Sequence, residues 1–202
     1  MARAIRDPAA RQRIIDVACR SIAERGLRGA TMRTIAADAG VSTGFVTHYF
    51  ADKRELADEV LAATNLRAGQ RALAASISAR GIDAIAATVD AVLPVDEERG
   101  VEWGVWVAFW TAAETDADSA GALDQASQVM AAILAGPFAQ AMEDGELPAG
   151  LDVTYETQRL LLMVAGLGLY ARVNDPETIR TFARRVLDDH LAQLRARARE
   201  AL

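Results

Sequence analysis

Residues 31–53 read TMRTIAADAGVSTGFVTHYFADK, and this stretch decides the fold of the amino-terminal part of the chain. Thr31 can cap a short helix with apolar side chains at helical spacing, and Gly40 follows where a helix needs a left-handed residue to stop. Ser42 can cap a second short helix. The side chains that we expect this second helix to bury are Phe45, Val46 and Phe50. Two such helices joined by a glycine turn form a helix-turn-helix, whose second helix enters the major groove of DNA.

The residues on either side extend this motif into a three-helix bundle followed by a long helix. Asp7 and Pro8 form a favourable helix start, and the helix that follows carries one apolar stripe that must be buried against the two short helices. Asp52 can cap a further helix that runs from Lys53 towards Arg80. The length of this helix suits a connection between an amino-terminal head and a larger body.

These residues resemble the amino-terminal domain of the TetR family of transcriptional regulators. The positions that carry the resemblance are Thr31, Ile35, Ala36, Ala39, Gly40, Val41, Ser42, Gly44, Tyr49, Phe50, Lys53 and Leu56. The sequences of residues 42–44 and 47–50 are similar to the BetI-like branch, in which a small hydroxyl residue stands at position 47. The resemblance implies a DNA-binding head and a body that binds a small molecule and dimerises through its last two helices.

The composition predicts an all-α protein. Alanine is abundant, aromatic residues make up 5% of the chain, and no long stretch alternates apolar and polar residues as a strand would. Beyond Gly81, helical patterns cover residues about 82–92, 97–115, 119–144, 153–173 and 176–199. We expect a helix-turn-helix DNA-binding domain at residues 1–52 and a helical effector-binding and dimerisation domain at residues 53–202.

Charge is distributed unevenly along the chain. Residues 1–56 hold ten basic and six acidic side chains, whereas the whole chain has a net charge of −6. A basic head on an acidic body is typical of a DNA-binding module joined to a part that binds no nucleic acid. The sequence has no signal segment and no apolar run long enough to span a bilayer, so we expect a cytoplasmic protein without a membrane partner.

The second helix of the motif supplies most of the expected DNA contacts. Gly44 lets the backbone approach DNA closely, and Thr43 and Thr47 can reach phosphates or base edges. His48 can contact a phosphate or a base, or it can be a surface histidine without a role. Lys53 matches the phosphate-binding lysine of the family. The full set of expected DNA contacts is Thr31, Arg33, Ser42, Thr43, Gly44, Thr47, His48, Tyr49 and Lys53.

Three tryptophans give a candidate for the effector site. Trp103, Trp106 and Trp110 fall on one helical face together with Glu114. Three indoles beside a carboxylate can surround an organic cation. The alternative is that the tryptophans are only core. The candidate pocket residues are Trp103, Trp106, Trp110, Phe138, Met163 and Tyr170.

The body also resembles that of the BetI-like branch, notably in residues 106–110 and 166–167. Ala165 and Gly168 depart from the pattern, because an aspartate and a tryptophan are frequent at these positions. The loss of an acid and an aromatic ring weakens the case for choline, and a larger, more apolar effector fits the sequence at least as well.

The helix at about 153–173 is apolar on nearly all sides. Such a helix needs a partner surface in addition to the core of its own subunit. We expect this helix and the next, at about 176–195, to form a homodimer; the alternative is a fully internal helix.

These patterns favour a protein that binds double-stranded DNA. The resemblance to the TetR family implies a ligand-responsive regulator, namely a repressor that a small-molecule effector releases from a palindromic operator. An activator would use the same fold. The chain has two histidines, one cysteine, no metal-ligand spacing and no phosphate-binding glycine loop, so we expect neither an enzyme nor a cofactor or metal site. The competing hypothesis is a helical small-molecule-binding protein without DNA-binding activity.

Overall fold

The computed structural model describes residues 7–174 and 176–200, which form nine helices and no strand. The helices are α1 (Pro8–Gly29), α2 (Met32–Asp38), α3 (Thr43–Tyr49), α4 (Lys53–Ser78), α5 (Gly81–Asp90), α6 (Glu97–Ala113), α7 (Ala117–Glu143), α8 (Val153–Tyr170) and α9 (Pro176–Glu200). The prediction of an all-α fold is confirmed. The observed ends of α5 to α9 lie within about three residues of the predicted ones.

The first three helices begin at the predicted residues, and α2 ends just before Gly40 as predicted. The Asp7 side chain accepts a hydrogen bond from the amide nitrogen of Ala9, and Pro8 occupies the first turn of α1. Gly40 has a φ of 66°, which a residue without a Cβ adopts without strain, and it turns the chain between α2 and α3. Helix α1 packs against α2, and α2 packs against α3.

The chain divides into two compact units. The first comprises Met1–Leu66 and Val101–Gly121, so it holds α1 to α3, the first half of α4 and most of α6. Its largest fully buried side chains are Phe50, Phe109, Ile14, Ile22, Ile35 and Leu56. The functional division that we predict between residues 52 and 53 stays a prediction.

Helix α6 belongs to the first unit because it approaches α1 very closely. A Cβ atom at Gly104 would lie 2.6 Å from the Cβ of Ala23 and 2.9 Å from its Cα, so the two helices meet at a distance that only glycine permits. Trp106 also donates a hydrogen bond from Nε1 to Oδ1 of Asn65 in α4, at 2.8 Å. Helix α6 is therefore packed on the unit that contains the helix-turn-helix.

The second unit comprises Arg67–Gly100 and Ala122–Leu202. Helix α9 packs against α5 and α8 within it. Polar contacts join the start of α5 to the turn that follows α7: the amide nitrogen of Ile82 donates to Glu146 at 2.9 Å, and Arg80 pairs with Asp144 at 2.6 Å. The largest fully buried side chains of this unit are Phe138, Ile82, Ile85, Leu93, Leu134 and Leu147.

Candidate nucleic-acid interface

The two helices of the motif are fixed at their N-termini by hydroxyl side chains. The amide nitrogen of Thr34 donates to Oγ1 of Thr31 at 3.1 Å, and the amide nitrogen of Thr31 donates to Oγ1 of Thr34 at 2.8 Å. The amide nitrogen of Phe45 donates to Oγ of Ser42 at 3.1 Å. Each cap satisfies an amide that the helix leaves unpaired. The Ser42 hydroxyl is the acceptor in this bond, so its own hydrogen remains available for donation.

Helix α3 presents a largely polar face to solvent. Thr43, Gly44, Thr47 and His48 are all exposed. If Gly44 carried a Cβ atom, the nearest atom of a side chain or of another helix would be Oγ of Ser42, at 3.8 Å. The backbone at Gly44 is therefore open to an approaching molecule. Thr47 donates its hydroxyl hydrogen to the carbonyl oxygen of Gly44 at 3.2 Å, which leaves its oxygen as an acceptor and its methyl group as an apolar contact.

Phe45 does not lie where we predict it. Val46 and Phe50 are fully buried as expected, but 39% of Phe45 is exposed, so its assignment to the packing side is wrong. Helix α3 has only seven residues, and its narrow buried face is filled by Val46 and Tyr49, three positions apart. The Phe45 ring instead lies beside that of Tyr49, with 5.3 Å between ring centroids.

Part of the positive charge of the first unit is neutralised by ion pairs. Arg25 of α1 pairs with Asp38 of α2 at 2.6 Å, and its hydrogen bond is the main reason that the pKa of Asp38 lies below its ordinary value. Arg54 pairs with Asp118 at 2.7 Å and with Asp116 at 3.5 Å. Both arginines already pair with carboxylates of the same unit, so their charge is not available in full to a phosphate.

Arg33 and Lys53 differ from these arginines, because neither makes an ion pair within the described residues. Arg33 is exposed in the first turn of α2, and Lys53 is the first residue of α4. The start of α4 is fixed by the amide nitrogen of Glu55, which donates to Oδ1 of Asp52 at 2.8 Å, as the predicted cap requires. Lys53 is also the only lysine of the chain. Arg3 and Arg6, which contribute to the basic charge of the head, lie outside the described residues.

The three tryptophans of α6 form one cluster within the first unit. The ring centroids of Trp103 and Trp106 are 5.1 Å apart and those of Trp103 and Trp110 are 5.8 Å apart, both in edge-to-face arrangements. Trp103 is buried, Trp106 is half-buried and 36% of Trp110 is exposed. Their role in a pocket stays a prediction.

The other candidate pocket residues belong to the second unit. Phe138 is fully buried and Met163 is half-buried. Tyr170 is exposed, and its ring centroid lies 6.1 Å from that of Phe182. Their role in an effector site also stays a prediction. Within the described residues, no cluster of His, Cys, Asp and Glu side chains could hold a metal ion.

Two family models match the chain. The model described as bacterial regulatory proteins of the tetR family matches residues 14–60, which include α2 and α3. The model described as the C-terminal part of the BetI-type transcriptional repressor matches residues 81–196. The chain belongs to the TetR family of transcriptional regulators.

Individual members of the TetR family are similar to this chain over different lengths. The transcriptional regulator PksA of Bacillus subtilis is 27% identical over 91% of this chain and 89% of its own. The regulator BetI of Burkholderia ambifaria is 36% identical over 53% of this chain and 56% of its own. The chain therefore spans about half the length of the BetI regulators that it matches.

Solved structures of regulators show the same fold. A transcriptional regulator of Saccharomonospora viridis in complex with choline has a TM-score of 0.83 at 22% identity, covering 92% of this chain and 97% of that one. A regulator of Rhodococcus sp. RHA1 has a TM-score of 0.72 at 26% identity, covering 91% and 95%. No helix in the described part of this TetR-family chain is long and apolar enough to cross a membrane.

Two residues of this TetR-family chain acquire significance only from the structure. Phe45 is of a residue type that is usually found in the core. Only the structure shows that it is exposed on the short helix α3. Asn65 lies within a long amphipathic helix and gives no signal in the sequence, although it binds the indole of Trp106.

Proposed function

We propose that this protein is a repressor that binds a palindromic operator as a homodimer and is released by a small-molecule effector. The observation that carries the proposal is the exposed face of α3, where Thr43, Gly44, Thr47 and His48 lie together. In a helix-turn-helix the N-terminal residues of the second helix reach base edges in the major groove. The match to a BetI-type repressor model supports repression.

Two basic residues, one in the helix before α3 and one at the start of the helix after it, support the orientation of this face on DNA. Arg33 and Lys53 make no described ion pair, so both can neutralise phosphates. We expect further phosphate contacts from the hydroxyl groups of the exposed Thr31 and Ser42 and of the largely buried Tyr49. Contacts of this kind fix the register of the protein on the duplex, whereas Thr43, Thr47 and His48 reach the bases.

The outer face of α8 supports a homodimer. The exposed fractions of Leu162 and Leu169 are 64% and 55%, and Gly166 lies between them with no atom within 4 Å of the Cβ it lacks. Residues 162, 166 and 169 share one face of a helix. An apolar face with a small residue at its centre fits a symmetric partner helix, and symmetry would bring two α3 helices to successive half-sites about 34–36 Å apart.

The tryptophan cluster supports an effector site on α6. The faces of indole rings attract organic cations, and the related regulator of S. viridis binds choline. Ala165 and Gly168 remove an acid and an aromatic ring that a choline site would use. The similarity to a choline-bound regulator and these two departures point to different ligands, so we test choline and a larger apolar compound side by side.

Selection of bound duplexes from a random pool tests the DNA-binding part of this proposal. We expect a palindrome with half-sites about one helical turn apart. Thr47→Ala should change the base preference at one position of each half-site, since the side chain faces solvent on α3. Thr111→Ala is the matched control, because Thr111 is also exposed and also donates to a carbonyl of its own helix. If no duplex is enriched and none binds even at low salt, the protein is a helical small-molecule-binding protein instead.

A further inference from the structure

Phe45 is an aromatic side chain exposed on the helix that we assign to the major groove. The other large apolar residues of this segment are buried, namely Val46, Tyr49 and Phe50. Phe45 alone among them keeps 39% of its surface in solvent. A single exposed apolar residue is common on protein surfaces, so its exposure acquires meaning only from its position.

The backbone of Phe45 is fixed, and its ring contacts a buried ring. Its amide nitrogen donates to both the carbonyl oxygen and Oγ of Ser42, at 3.0 and 3.1 Å. Its ring is tilted by 56° against the ring of the buried Tyr49, and Tyr49 in turn meets His48 edge to face at 5.2 Å. A ring that already contacts a buried neighbour loses less conformational entropy on binding than a free one, which favours a specific contact.

The surroundings of Phe45 limit what it can contact. Its exposed neighbours Thr43, Gly44, Thr47 and His48 are polar or small and are the residues expected to face bases and phosphates. Phe45 is the third residue of α3, within the first turn that approaches base edges. The apolar feature that bases offer in the major groove is the C5 methyl group of thymine.

We propose that Phe45 is a specificity-determining residue that contacts the C5 methyl group of one thymine in each half-site. The proposal rests on the proposed DNA-binding function and adds one base to it. It gives α3 an apolar contact besides its hydroxyl groups, and it predicts that the operator contains a thymine opposite the first turn of α3.

Removal of single methyl groups from the operator tests this assignment. Each thymine of the selected operator is replaced in turn by deoxyuridine, which lacks only the C5 methyl group, at the equivalent position of both half-sites. At one position the wild-type protein should bind about fourfold more weakly per half-site, the loss expected for one buried methyl group. Phe45→Ala should bind the thymine and deoxyuridine operators equally, whereas Phe45→Leu should keep part of the difference. Ile77→Ala, which removes an exposed apolar residue of α4, should behave like the wild type.

The outcomes separate the two proposals. If the wild type binds a selected operator but no methyl group matters, or if Phe45→Ala retains the full loss at the sensitive position, Phe45 does not read thymine and the DNA-binding proposal survives. If the wild type binds no DNA, both proposals fail. Because Phe45 is partly exposed, its truncation leaves the core intact, and circular dichroism verifies that Phe45→Ala is folded.

Discussion

At the scale of single residues, Lys53 is the clearest phosphate contact to test. Lys53→Ala should weaken binding to operator and random DNA by similar factors, because a phosphate carries no sequence information. The slope of the logarithm of the binding constant against the logarithm of the salt concentration should become less steep by about one. This change corresponds to one fewer counterion released on binding. Arg80→Ala removes the same charge from the second unit and should leave the slope unchanged. A Lys53→Ala variant with relaxed preference at one base pair and an unaltered slope would contradict the assignment.

The single lysine allows an independent check of the same contact. An amine-reactive reagent can modify only Lys53 and the terminal amine of this chain. If Lys53 contacts phosphate, operator DNA should protect it from modification, as mass spectrometry of the DNA-bound protein would show.

His190 of α9 is the residue from which we expect pH-dependent stability. Its Nε2 atom is buried without a hydrogen-bond partner in the described residues, and Oε2 of Glu156 lies 3.6 Å away. The pKa of His190 lies below its ordinary value, mainly because the side chain is buried. The charges of Arg159 and Arg197 lower this pKa further, whereas the charge of Glu156 raises it.

The sign of the pH effect follows from that lowered pKa. As the pH falls below 6.5, the histidine takes up a proton more readily in the unfolded chain than in the folded one. The folded state therefore becomes less stable as the pH falls. His190→Leu should flatten the pH dependence of the melting temperature between about pH 7.5 and 5.5. His48→Gln, which removes the exposed histidine of α3, serves as the control. An unchanged pH dependence in His190→Leu would show that other groups cause it.

At the scale of helices, the sequence predicts starts and ends well and predicts contacts between helices poorly. Thr31, Ser42 and Asp52 are correct as caps because each bonds to an amide only three residues away. The position of α6 depends instead on Gly104 meeting Ala23, which are far apart in sequence. The exposure of Phe45 depends on how much of a seven-residue helix its neighbours can cover.

The close approach of α6 to α1 predicts the effect of adding one methyl group. Gly104→Ala would bring a Cβ atom within 2.9 Å of the backbone of Ala23, so the helices must move apart. We expect a loss of about 1–3 kcal/mol in the free energy of unfolding, as for other overpacked sites. Gly100→Ala is the matched control in the same helix, since nothing lies within 4 Å of its added Cβ. Urea denaturation of both variants measures the difference, and equal stability would mean that α6 relaxes at no cost.

At the scale of the whole molecule, the proposed dimer can be tested without disturbing the protomer. Gly166→Arg adds a long charged side chain where the protomer leaves open space, so the variant should fold. If α8 forms the interface, sedimentation should detect a monomer that no longer binds operator DNA tightly. Gly121→Arg adds the same side chain at another open helical position and should behave like the wild type. A dimeric Gly166→Arg that binds DNA would place the interface elsewhere.

Release from DNA by an effector requires that the effector bind the DNA-incompetent state more tightly. A tenfold preference corresponds to about 1.4 kcal/mol, and linkage requires that operator DNA weaken effector binding by the same factor. Helix α4 contributes residues to both units and begins at Lys53, so we expect effector binding to move this helix and change the spacing of the two α3 helices.

The tryptophan cluster provides a direct measurement of that coupling. Titration with a compound shown to release DNA should change tryptophan fluorescence, since Trp110 is partly exposed and Trp106 is hydrogen-bonded to Asn65. Trp110→Phe should weaken effector binding, because phenylalanine offers a smaller ring to a cation or an apolar ligand. Trp106→Phe also removes the hydrogen bond to Asn65 of α4. It should therefore change both the affinity for the effector and the factor by which operator DNA weakens that affinity. If both variants keep wild-type affinity and fluorescence never responds, the effector binds away from α6 and the three indoles are core.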